Sequence, residues 1–199
     1  ISLIRILWLL MQVKLMPDNP GGEGSETQEE TERLLAEAVK NELLYRAIVI
    51  ALWTGFRKES IYTLHAKDID LDARRIHKIT KGGKQTTVPI TATLAVFLKP
   101  LVDRGDWLLP SPVNPGEHIS INSDLGFTEA CKRAGIEDLR FHDLRHTMAT
   151  RFFLVTGDIV ATGKMLDHRK VTTTQRYINL PGERLGELVD KFDQGGRNE

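Results

Sequence analysis

Two runs rich in β-branched residues, Arg75–Thr80 and Thr86–Ile90, stand on either side of Lys81-Gly82-Gly83-Lys84. That block constrains the fold more than any other part of the chain. A Gly-Gly centre between such runs signals a tight antiparallel hairpin, because glycine takes the positive φ of the favoured hairpin turns without steric penalty. In a two-residue turn of this kind Lys81 and Lys84 are cross-strand partners on one face, so both can reach the same ligand. The expected architecture is mainly α with one small antiparallel β-sheet, an α+β arrangement.

Helix signals fill most of the remainder. Ile1–Met16 reads as a helix stopped by Pro17 and Pro20, and Pro17–Gly24 as a linker. Thr27 with Glu30 is a capping-box pattern, opening a helix to about Val39. A strongly apolar helix follows over about Glu42–Trp53, and Gly55 suits its C-terminal cap. Arg57 then opens a short helix to about Leu64. Thr93–Val102 is helical, Trp107–Leu109 a short extended piece, and Ser111–His118 a loop carrying two prolines and a glycine. Further helices are expected over about Ser123–Ala134, His142–Thr156 and Asp158–Leu166, in a short stretch around Tyr177, and over about Glu183–Phe192.

Composition narrows the class without choosing a function. The 199 residues are 41% hydrophobic and 27% charged, ordinary values for a soluble globular protein. The single cysteine, Cys131, excludes an internal disulfide and is compatible with a reducing compartment. A formal net charge of +0 does not advertise a nucleic-acid binder. The charges are unevenly spread, however: acidic residues crowd Glu23–Glu42, while Arg and Lys recur through Lys132–Arg176. The apolar opening run is broken by Arg5 and Lys14 and is too short for a membrane span. It also lacks the basic start and small-residue cleavage site of a signal peptide.

Four segments carry groups suited to chemistry on a phosphate: Thr54-Gly55-Phe56-Arg57, the Lys81 hairpin, His142-Asp143-Leu144-Arg145-His146, and Leu166-Asp167-His168 leading to Tyr177. Three residues apart on a helix, His142 and Arg145 face the same way. An imidazole and a guanidinium pointing together suit a tetrahedral anion. Arg57 would add a second planar fork able to grip non-bridging oxygens and stabilise developing charge.

In this order and with these separations, the segments resemble the tyrosine recombinase (phage integrase) family. That family is typified by an Arg in a Thr-Gly-x-Arg turn, a hairpin Lys, a His-x-x-Arg pair, a Gly-His, and a Tyr shortly after. The resemblance runs from about Ser25 to Gly182 and is most specific at His142–Thr150. It implies a tyrosine recombinase catalytic-domain-like, DNA breaking-rejoining fold. It also implies that Arg57 and Arg145 bind the scissile phosphate, and that His142 and His168 hydrogen-bond it or move protons. Lys81 would protonate the leaving 5′ oxygen, and Tyr177 would form a covalent 3′-phosphotyrosine. Chemistry agrees with these roles. A phenol with a pKa of about 10 needs a base or nearby cations to attack at neutral pH, and an alkoxide leaving group needs a proton donor. Arginines supply the charge neutralisation that metals give elsewhere, so neither metal, cofactor nor ATP is expected.

Two positions depart from the pattern. Ser60 stands where the family often has Glu, with Glu59 before it, and Asp167 replaces the Gly before His168. Taken singly, each candidate has a blander reading: Arg57 a surface charge at a helix start, Lys81 a solvated turn residue, His168 a helix cap, Tyr177 a packing aromatic. Their ordered combination favours the site. His142 and His146 also match the spacing of zinc-binding His pairs. Asp143 replaces the expected Glu, no third ligand is evident, and Arg145 would oppose a cation, so His146 is read as structural.

On this reading residues 1–20 are the last helix and linker of an N-terminal core-binding domain, 21–182 the catalytic domain, and 183–199 a C-terminal helix and tail suited to docking on a neighbouring protomer. The implied partner is double-stranded DNA, bound by a homotetramer across two sites, with DNA-bending proteins as accessory partners and no membrane. The implied location is the cytoplasm of a bacterial or phage-infected cell. Two rivals remain: a type IB topoisomerase-like nicking-closing enzyme, and a catalytically inactive DNA-binding relative.

Overall fold

The computed structural model describes residues 27–79 and 85–167. The chain enters on α1 (Gln28–Ala38), whose start is the expected capping box: Thr27 Oγ1 accepts from the Glu30 backbone, and the Glu30 carboxylate accepts from the Thr27 N–H. Next comes α2 (Glu42–Thr54), capped by Asn41 at its start and by Gly55 in the left-handed region (φ 64) at its end. Nearly all of α2 is buried, from Leu44 to Thr54, which makes it the central rod of the core. The five-residue α3 (Lys58–Tyr62) follows, and then a 3-10 turn over Ala66–Asp68.

Three short strands form one antiparallel sheet in the order β1 (Ile69–Asp70), β2 (Arg75–Ile79), β3 (Gln85–Pro89). The strand β1 went unread in the sequence, since two residues are too few to show alternation. The described register of β2 and β3 runs Ile76 opposite Val88, Lys78 opposite Thr86 and Ile79 opposite Gln85. The register is described as far as Ile79 and Gln85; residues 80–84, and with them the expected Lys81–Lys84 pair, lie outside the described residues. The inward pair Ile76 and Val88, both buried, fixes the pairing, because a slip by one would turn both side chains to solvent.

The remaining helices are α4 (Ala92–Val102), α5 (Phe127–Ala134), α6 (Asp143–Thr156) and α7 (Ile159–Met165). The helix α5 begins four residues later than its sequence suggests. Leu125 (φ 52) and Gly126 (φ 79) are both left-handed, which stops helical propagation before Phe127. Packing is mainly α1 on α5 and α2 on α6, with α7 folding back on α6. Two buried arginines pin the layers: Arg46 donates to the Leu108 carbonyl at 2.9 Å and pairs with Glu42, and Arg151 donates to Thr31 Oγ1 at 2.8 Å. Among the described residues no helix is long and apolar enough to cross a membrane. The expected helices over 1–16, around Tyr177 and over 183–192 lie outside the described residues.

Candidate phosphate site at the end of the central helix

The end of α2, the start of α3, the inner face of the sheet and the end of α7 converge on a cavity of about 30 Å³. Its charged and polar lining comprises Arg57, Ser60, Lys78, Thr86, Arg145 and Asp167, with Phe56, Met165 and Leu166 completing the wall. Gly55 makes the convergence possible. A Cβ there would lie 2.7 Å from Leu166 Cδ2 and 3.0 Å from Met148 Sδ, so the bare α-carbon gives these two buried side chains, from α6 and the end of α7, their room against the α2 terminus.

Arg57 caps the N-terminus of α3 with an extended backbone (φ −67, ψ 150), which projects an exposed side chain beside the cavity. Arg145 approaches from α6 and is only 4% exposed. Its Nη1 donates to the Gly55 carbonyl and its Nη2 to the Leu166 carbonyl, each at 2.6 Å. One guanidinium thus clamps the ends of α2 and α7 while lining the cavity. A planar fork does this where a single ammonium would not.

His142 is the N-cap of α6 rather than its first helical residue, and its backbone is already helical (φ −67, ψ −26). Its ring is exposed and meets the half-buried ring of His146 edge-to-face at 5.2 Å. It does not line the cavity. The structure therefore brings Arg57 and Arg145 together and leaves His142 one turn away. Lys81, Lys84, His168 and Tyr177 lie outside the described residues.

The sequence contains three tyrosines. Tyr45 and Tyr62 are sealed in the core, both no more than 1% exposed. Burial pushes the Tyr45 phenol up to about 12 and the Tyr62 phenol higher still, the latter with help from Asp124. Neither can reach a phosphate or ionise to attack one.

Asp167 has φ 51, a left-handed backbone at the position where the resemblance supplies glycine. The conformation explains that preference, and aspartate is among the few side chains that tolerate it. Sequence reasoning missed Lys78. It sits on β2 with its side chain 8% exposed, and burial lowers its amine to about 8 against the opposing pull of Asp68 and Glu59. A roomier cleft of about 630 Å³ lies along α5 and residues 135–140 but contains none of the candidate residues.

The model of the phage integrase family matches residues 26–184. A shufflon-specific DNA recombinase of Escherichia coli is 32% identical over 160 residues, covering 77% of this chain and 38% of that protein. Tyrosine recombinase XerC of Corynebacterium glutamicum is 27% identical over 186 residues, covering 89% and 58% respectively. The chain therefore spans 38% and 58% of these two relatives, less than two thirds of either. Among solved structures, XerA recombinase superposes with a TM-score of 0.70 at 25% identity, over 88% of this chain and 66% of that one. The catalytic domain of bacteriophage HP1 integrase gives a TM-score of 0.62 at 27% identity, over 83% of this chain and 93% of that one.

Proposed function

The chain belongs to the phage integrase family, and on that basis we propose that it is a tyrosine-type site-specific DNA recombinase that cuts and rejoins strands without metal or ATP. The observation that carries this reading is the meeting of Arg57 and Arg145 at one cavity, although they arise from distant parts of the chain. Two guanidiniums at a protected concavity suit a phosphodiester, whose transition state spreads negative charge over its equatorial oxygens.

In the proposed reaction the Tyr177 phenolic oxygen attacks the phosphorus, a bond forms between them, and the bond to the 5′ oxygen breaks. Lys81 gives a proton to that oxygen. His142, exposed at the helix start, takes the phenolic proton, and His168 hydrogen-bonds the phosphate. Attack by a 5′ hydroxyl on the phosphotyrosine then reverses the step, so bond energy is conserved. Burial of Tyr45 and Tyr62 supports Tyr177 as the nucleophile, since it is the remaining tyrosine. Double-stranded DNA is the proposed partner, engaged by a tetramer across two sites in the cytoplasm of a bacterial or phage-infected cell, with DNA-bending proteins as candidate accessories. Residues 1–20 are proposed as the end of a DNA-clamping domain and 183–199 as the protomer-docking segment.

The test is covalent capture. Nicked duplexes with a random central sequence are incubated with the chain, and protein–DNA adducts resistant to denaturation are collected and sequenced. Adducts concentrated on one site, and absent with Tyr177→Phe, are the expected result. If no duplex yields an adduct, or if the Phe variant yields the same one, the proposed transesterification is wrong.

A further inference from the structure

Lys78 has no part in the roles assigned above, yet it lines the same cavity as Arg57 and Arg145. It shares the inward face of β2 with Ile76, two residues away. Its ammonium donates to the Thr63 carbonyl at 2.7 Å and to Thr63 Oγ1 at 2.9 Å. Both acceptors are neutral. Among the described residues no carboxylate lies within ion-pair distance of Lys78. Asp68 and Glu59 reach it only through their fields, and Asp167 is the acidic member of the cavity lining. Burying an ammonium without a counter-charge is strongly unfavourable.

The residue facing Lys78 across the ladder is Thr86, which lines the cavity too. Its Oγ1 is buried and has no hydrogen-bond partner among the described residues. Such orphaned hydroxyls are rare and ask for an explanation. The cavity thus gathers three cations, one carboxylate and an unsatisfied hydroxyl around room for about one oxygen atom. An ammonium has three N–H groups, and Thr63 accepts from two of them. An anionic oxygen would satisfy the third N–H, the Thr86 hydroxyl and the charge together.

We propose that Lys78, with Thr86 opposite it, is a third phosphate-binding residue of this site, holding a non-bridging oxygen of the phosphodiester alongside Arg57 and Arg145. This rests on the reading of the cavity as the phosphate site. The role is electrostatic, and no proton leaves Lys78 during the reaction. Proton donation stays with Lys81.

Inorganic phosphate is the probe, at constant ionic strength against chloride. In the chain carrying isotope-labelled lysine, the Lys78 side-chain resonance, assigned by its loss in Lys78→Met, is followed through pH. It should titrate near pH 8 without phosphate and at least one pH unit higher with saturating phosphate. Phosphate affinity should fall about tenfold in Lys78→Met and in Thr86→Val, and stay within about threefold in Lys78→Arg. A Lys78 titration unmoved by phosphate overturns the proposal, because a lysine that merely tethers Thr63 would behave that way. So does wild-type affinity in Lys78→Met. If Lys78→Met fails to fold, the wild-type titration decides alone, with resonance assignment taken from Lys78→Arg. Loss of adduct formation in the Tyr177 test with this phosphate response intact would count against the transesterification, not against Lys78.

Discussion

Asp167 holds a left-handed backbone (φ 51) at a cavity that Arg57, Lys78 and Arg145 also line. Two separable effects follow, one from the backbone and one from the carboxylate. Glycine would take the same φ without the Cβ clash, so Asp167→Gly should raise the unfolding free energy by about 0.5–1 kcal/mol. Asparagine tolerates the left-handed region as aspartate does, so Asp167→Asn should not share this backbone gain. Both substitutions remove a negative charge beside the proposed anion site, and affinity for inorganic phosphate should rise severalfold in each. Denaturant titration reads the first effect and phosphate titration the second; equal phosphate affinity in all three proteins would show that the carboxylate is not felt at the cavity. The residue scale is also where the sequence was most and least legible. Arg57 and Arg145 stood out because their neighbours and spacings are distinctive. Lys78 did not, because a lysine in a short strand reads as solvent-facing until the pairing of Ile76 with Val88 shows which face is inward.

At the scale of elements, the helix ends carry most of the information. The Thr27 cap and the glycine end of α2 were readable because capping chemistry is local. What the local code does not contain is which cap another helix packs against. Gly55 and Gly157 both end helices at φ 64, yet a Cβ on Gly157 meets nothing within 4 Å, while one on Gly55 meets Leu166 and Met148. Gly157→Ala should therefore lose only the left-handed penalty, about 1 kcal/mol. Gly55→Ala adds the repacking of the buried Leu166 and Met148 side chains, and should lose about 2–4 kcal/mol. Thermal unfolding of the pair checks this. Equal losses would mean that the α2 terminus is not the tight junction the structure shows. The same limit on local information hid β1, whose two residues exist as a strand only through their pairing with Arg75 and Ile76.

For the whole molecule, the mainly helical plan with one small sheet followed from pattern alone, but the junction that makes a site of it is tertiary. Arg145 is where fold and site coincide. Its buried guanidinium ties the end of α2 to the end of α7 through the Gly55 and Leu166 carbonyls, and the same group faces the cavity. A lysine keeps the charge but cannot span both carbonyls, so at least one buried acceptor loses its donor. Arg145→Lys should lower the unfolding free energy by about 2–3 kcal/mol and also cut adduct formation by a factor on the order of 100. His142 provides the contrast. Its ring is exposed at the start of the same helix and touches the His146 ring, so His142→Ala should cost no more than about 1 kcal/mol while still slowing adduct formation. Chemical denaturation and covalent capture on the same two proteins separate the cases. If Arg145→Lys lost activity with wild-type stability, the carbonyl clamp would be incidental to the fold. If His142→Ala unfolded as readily as Arg145→Lys, the histidine would belong to the scaffold and not to the chemistry.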